Sequence, residues 1–135
     1  MTPASPEEAT GAFTMLRDEQ FVVLTTFRGS GTPVPTTVWF ALVGERIYIT
    51  TNAQLAKVRR VRANPHVLLA PSDRVGVAHG PPIAAQARVL EPAEFAPAAA
   101  ALREKYGEQY VAMTTQMDAR QEPGSRIYIE VTPQS

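Results

Sequence analysis

The sequence predicts a mainly β protein, a small barrel with a few short helices. Three observations carry this. Short runs rich in β-branched and aromatic residues recur, the first being Phe21-Val22-Val23-Leu24-Thr25-Thr26-Phe27. Turn-forming clusters separate them, Gly29-Ser30-Gly31-Thr32-Pro33 after the first run and Gly44-Glu45 after the second. Helical periodicity is confined to a few short segments.

The elements follow in order. Ser5-Pro6-Glu7-Glu8 is a helix start, with Ser as N-cap, Pro at the first helical position and Glu in the first turn. Ala9, Ala12, Phe13 and Leu16 continue it at helical spacing, so a helix is predicted over roughly 6–18. Residues 21–27 are the first strand and Thr36 to Val43 the second. Gly44-Glu45 fits a two-residue hairpin loop with Gly first, and Arg46 to Thr50 is the third strand. These three read as an antiparallel meander. Thr51 or Asn52 can cap a helix that Asn64-Pro65 ends. Leu55, Val58 and Val61 give that helix a narrow apolar stripe, and Lys57 and Arg60 share another face. His66 to Ala70 is a strand, and Pro71 to Pro82 a loop. Ile83 to Leu90 is a strand in which Ala85, Ala87 and Val89 alternate with Gln86 and Arg88. Pro92 opens a helix that Gly107 closes after Tyr106. Residues 108–124 carry no clear signal. Arg126 to Val131 is the last strand, ended by Pro133. That makes about six strands.

The bulk composition narrows the function. The 135 residues are the length of one ordinary domain. No linker or internal repeat divides residues 1–135, which are read as one unit. Hydrophobic residues make up 44 % and charged residues 19 %, a globular composition. No cysteine occurs, which excludes disulfides, thiolate metal sites and redox thiols. No apolar run approaches the ~20 residues of a membrane span, and the acidic N-terminus lacks a signal pattern. A cytoplasmic location without a membrane partner is the expectation.

The zero net charge conceals an asymmetry. Between Gln20 and Leu90 lie eight basic residues and two acidic ones; the remainder holds five basic and eleven acidic. A basic middle between acidic ends points to a local anion site. Lys57, Arg59, Arg60 and Arg62 concentrate it. A basic helix can be no more than a solvated face. Here the charges follow a helix N-terminus, where free N–H groups favour an anion. Thr50 and Thr51 add hydroxyls at the adjoining strand end. The combination describes a phosphate cradle. Nucleic acid is disfavoured, because stacking aromatics do not interleave with the basic residues.

Other motifs carry less. Gly29-x-Gly31 lacks a third glycine and joins two strands, so it is a hairpin turn. His66 and His79 have no metal-ligand spacing, and no metal is predicted. No G-x-S-x-G elbow occurs. The strand Thr36-Thr37-Val38-Trp39-Phe40 is either core or a wall beside a flat aromatic ligand.

The order of these segments is recognisable. "GTPVPTTVWFAL", "RIYITT", "AKVRRVRANP", "VLLAPSD", "AQARVL" and "KYG" follow one another at characteristic spacings. Over about residues 12–132 the chain resembles the pyridoxamine-phosphate-oxidase-like split β-barrel superfamily. Within it the chain is similar to the small actinobacterial oxidoreductases that use the deazaflavin coenzyme F420. The most specific part is the pattern running from Thr50 through Ala56-Lys57 to Asn64-Pro65.

The resemblance implies a six-stranded antiparallel split barrel that forms a homodimer, with two cofactor sites at the subunit interface. It implies that Lys57 holds the cofactor phosphate at the strand end formed by Thr50 and Thr51, beside Ala56. Arg60 is a second contact there, or reaches the anionic oligoglutamate tail. Pro35, Thr36, Thr37 and Val38 match the segment lying along the ring. The implied reaction is hydride transfer from reduced deazaflavin to a small-molecule electron acceptor. No acid–base side chain is assigned. Val34 to Val43 holds no basic residue, which favours coenzyme F420 over FMN. An FMN oxidase or reductase and a non-catalytic carrier of F420 or FMN stay open as alternatives. One departure concerns the loop after the fourth strand. Close relatives there read APCDxRG; this chain has Ser72 for the cysteine and Val75 for the arginine.

Overall fold

Seven strands form one antiparallel sheet in the computed structural model, which describes residues 11–120 and 125–134. They are β1 (Phe21–Phe27), β2 (Pro33–Trp39), β3 (Ala41–Val43), β4 (Arg46–Asn52), β5 (His66–Ser72), β6 (Ile83–Val89) and β7 (Arg126–Pro133). Three α-helices accompany them: α1 (Ala56–Ala63), α2 (Phe95–Tyr106) and α3 (Glu108–Arg120). Among the described residues no helix is long and apolar enough to cross a membrane.

The strand order is β2-β1-β5-β6-β7-β4-β3. β2 and β3 therefore lie at opposite edges, yet only Phe40 separates them in the chain. One run of residues crosses from edge to edge, and the sheet must curl to let it. This is the split barrel that the sequence predicts. Six strands become seven because the predicted run 36–43 divides at Phe40. The division has a physical cause. Tyr106 Oη donates to Phe40 O at 2.8 Å and accepts from Phe40 N at 3.0 Å. Lys105 Nζ also donates to Phe40 O, at 2.9 Å. Side chains of α2 thus replace the ladder bonds at that residue.

The expected meander is corrected by this topology. β1 pairs with β2, and β3 with β4, but β2 and β4 are not neighbours. The Gly44-Glu45 hairpin is present, with Val43 opposite Arg46 and Gly44 at φ 62°. The Gly29–Gly31 turn joins β1 to β2 as predicted.

Alternation along the strands fills the barrel. Val22, Leu24, Phe40, Ile47, Ile49, Leu69, Ala85, Ile129 and Val131 are buried in one cluster, with Phe13 and Leu16 against them. Val61 of α1 joins this core. A second cluster lies around α2 and α3: Ala98, Leu102, Tyr106 and Tyr110 pack on Ala41, Tyr48 and Tyr128.

The helices differ from the sequence expectation in three places. Of the helix predicted over 6–18, residues 6–10 lie outside the described residues; Gly11–Leu16 is a 3₁₀ helix. α1 starts later than its predicted caps. β4 runs on to Asn52, which pairs with Arg126, so neither Thr51 nor Asn52 caps α1. Asn52 Oδ1 instead accepts from Gln54 N at 2.7 Å, and Leu55 is the N-cap with no side-chain bond. Leu55 is exposed, so the apolar stripe reduces to Val58 and Val61. The indistinct segment 108–124 contains α3, whose inner face is Tyr110 and Thr114.

Candidate functional site

The end of β4, the start of α1 and the outer half of β2 converge on a pocket of about 250 Å³. Thr37, Val38, Thr50 and Lys57 line it, together with Phe21, Trp39, Arg74 and Met113. Four of the nine predicted cofactor-binding residues therefore meet in one cavity. They come from three elements that are distant in sequence but adjacent at one mouth of the barrel.

Each is positioned by local structure. Alternation along β2 sets Pro35, Thr37 and Trp39 on one face, Thr36 and Val38 on the other. Val38 is buried. Thr50 Oγ1 donates to Ile127 O at 3.0 Å, which fixes its rotamer. Lys57 lies in the first turn of α1, whose N-terminal amides have no side-chain cap.

Lys57 is half-buried, and burial lowers its pKa below the ordinary 10.5; the nearby positive charge of Arg60 lowers it further. Among the described residues no carboxylate pairs with it. An anion beside Lys57 would offset both effects, since an opposite charge favours the charged amine. Uncapped N–H groups at the same helix end act in the same direction. The donor set therefore fits a phosphate.

The other predicted residues fall elsewhere. Arg60 Nε donates to Thr26 Oγ1 at 2.6 Å. With Ala56, Arg28 and Arg59 it lines a neighbouring cleft of about 320 Å³. Thr51 is buried. Pro35 is exposed and Thr36 half-buried, and neither lines the pocket.

Three lining residues escaped the sequence reading. Phe21 is visible only through strand register: it pairs with Trp39 across β1 and β2, and the rings meet edge-on at 6.4 Å. Met113 belongs to α3, in the segment without a signal. Arg74 sits on the loop after β5. Asp73 organises that loop, its Oδ1 accepting from Val75 N at 3.0 Å and Val77 N at 2.9 Å. Gly76 adopts φ 92° and lies so close to Thr37 that a Cβ would stand 2.7 Å from Thr37 Oγ1. The loop is thereby docked on β2, with Arg74 at the pocket.

The aromatic wall continues behind the site. Trp39 stacks on Tyr106 with ring centroids 4.4 Å apart. Tyr106 Oη also donates to Gln20 O at 2.7 Å. No carboxylate or histidine lines the pocket. His79 pairs instead with Glu19 at 3.2 Å, and His66 is exposed.

The family model described as pyridoxamine 5'-phosphate oxidase matches residues 9–135. The chain belongs to this family. Solved structures of similar fold include HutZ, a haem storage protein from Vibrio cholerae (TM-score 0.67, 15 % identity, 99 % of this chain and 92 % of that one). An F420 reductase is also similar (TM-score 0.54, 23 % identity, 91 % of this chain and 93 % of that one). So is a haem-binding protein from Mycobacterium smegmatis (TM-score 0.64, 18 % identity, 98 % of this chain and 52 % of that one). At these identities the likeness is one of fold. Among curated proteins none matches the chain.

Proposed function

We propose that this family member binds coenzyme F420 and catalyses hydride transfer from its reduced form to a small organic acceptor. The observation that carries the reading is the meeting of Thr37, Val38, Thr50 and Lys57 in one pocket free of acidic side chains. Likeness to an F420 reductase supports it, as does the lack of basic residues between Val34 and Val43.

In this reading Lys57 holds the phosphate at the start of α1. Thr37 and Val38 flank the ring, and Arg60 reaches the anionic tail from the adjoining cleft. The deazaflavin, when bound, supplies the redox chemistry, while the protein binds, orients and shields it. With no carboxylate or histidine lining the pocket and Lys57 engaged by the phosphate, water protonates the acceptor.

A pocket of about 250 Å³ falls below the roughly 300–1,000 Å³ of ligand sites. A second copy of the chain completes it, so the functional unit is a homodimer.

The test is a fluorescence titration of the purified protein with coenzyme F420 and, separately, with FMN. Micromolar or tighter F420 binding with weaker FMN binding is the expected result. A preference for FMN would replace the reading with a flavin oxidase or reductase. Tight F420 binding without oxidation of its reduced form by any of a panel of enones, quinones and tetrapyrroles would make the protein a carrier.

A further inference from the structure

Two cations share the pocket on different elements. Lys57 is half-buried at the start of α1, whereas Arg74 is exposed on the loop after β5. We infer that Arg74 reads the acceptor, and that the acceptor bears a carboxylate on a flat conjugated body. The inference rests on the cofactor reading above, in which Lys57 is occupied by the phosphate.

Three observations lead to it. Arg74 has no acidic partner among the described residues, whereas Arg88 is held by Glu94 and Glu130, and Arg126 by Asp118. A guanidinium without a carboxylate at a pocket mouth is a preformed fork for one. Its backbone is also fixed, by the two bonds to Asp73 Oδ1 and by the close approach of Gly76 to Thr37. The loop that carries Arg74 is therefore held at the site before any ligand arrives. Finally, beyond the threonines and Val38 that the cofactor reading already uses, the lining is Phe21, Trp39 and Met113, surfaces suited to a planar apolar body.

The depths of the two cations divide their roles. The desolvated Lys57 suits a group that stays bound. The solvent-facing Arg74 suits a group that exchanges with each turnover. A neutral acceptor would leave Arg74 unpaired, a carboxylate would not, and this difference gives selectivity.

The experiment is calorimetric titration of the protein, with and without saturating coenzyme F420, using cinnamate and its methyl ester as matched probes. With F420 bound, cinnamate binds the wild-type protein about tenfold or more tightly than the ester, the value of one charge-assisted pair. Arg74→Gln abolishes that preference and leaves F420 affinity within about twofold, while Arg74→Lys retains part of it. Lys57→Gln shows the opposite pattern, losing F420 affinity. Equal binding of the two probes to the wild type, binding of neither, or a preference that survives in Arg74→Gln overturns the inference. F420 binding alongside such a result leaves the functional reading standing. Absence of F420 binding overturns that reading first, and the inference with it.

Discussion

Lys57 and Tyr106 show how burial sets the chemistry of single side chains. In the proposed reading, removing Lys57 deletes a charge-assisted phosphate contact worth about 1.5–3 kcal/mol. Lys57→Ala therefore weakens F420 binding about tenfold or more with the fold intact, as a titration paired with circular dichroism will show. The pH dependence has a definite sign. Burial, reinforced by Arg60, lowers the Lys57 pKa below 10.5, so anion affinity falls as pH rises, starting earlier than for an ordinary lysine. Lys57→Arg moves that loss beyond the accessible range. Stability follows other groups. Burial pushes Tyr106 and Tyr110 up to about 12 from the ordinary 10.0. Between those values the unfolded chain has lost protons that the folded one keeps, so the two phenols make stability fall from pH 10 to 12. Lys105 acts oppositely. Burial lowers it to about 8 against a weaker opposing effect of Glu19, so the unfolded state binds more protons between 8 and 10.5 and stability rises there. Urea midpoints measured from pH 7 to 12 should thus climb before they drop, and Tyr106→Phe should soften the drop.

The join between β2 and β3 depends on α2, and the site depends on the loop after β5. Tyr106→Phe removes the bonds to Phe40 N, Phe40 O and Gln20 O. Phe40 O keeps its bond from Lys105, but the buried Phe40 N loses its acceptor, which costs about 1–3 kcal/mol and is readable as a lower urea midpoint at neutral pH. Gly76→Ala is destabilising twice over, through its positive φ and through the contact with Thr37 Oγ1. A strained left-handed residue costs about 1–2 kcal/mol. The displaced loop carries Arg74 away, so the cinnamate preference falls as well. These elements were legible in the sequence to different degrees. β1, β5, β6 and β7 follow from their own composition and turns. α3 was not legible, because Tyr110 and Thr114 are its only buried residues and too sparse an apolar face to declare a helix. The late start of α1 was hidden too, since the pairing of Asn52 with Arg126 is invisible from either segment alone.

A second copy of the chain should govern both binding and assembly. Sedimentation should show a homodimer, and conditions that dissociate it should abolish F420 binding; a monomer that binds with unchanged affinity would refute the shared site. Local composition and spacing by themselves determined much of this protein. They set the β class, most strand limits, the basic segment at Lys57 and the order of motifs that identifies the family. These are short-range properties, written in alternation, turn residues and charge. Tertiary structure alone decided which strands are neighbours and which predicted residues meet. It divided the nine, placing Lys57 with Thr37 and Thr50 but Arg60 with Arg28. It also brought in Phe21 and Met113 from segments that carried no sign of a site, and Arg74 from the loop that departs from the relatives' pattern. The reason is that pairing register and the curl of the sheet are long-range: Phe40 joins opposite edges of one sheet, and only the curled sheet brings the start of α1, the C-terminal half of β2 and the loop after β5 to one pocket.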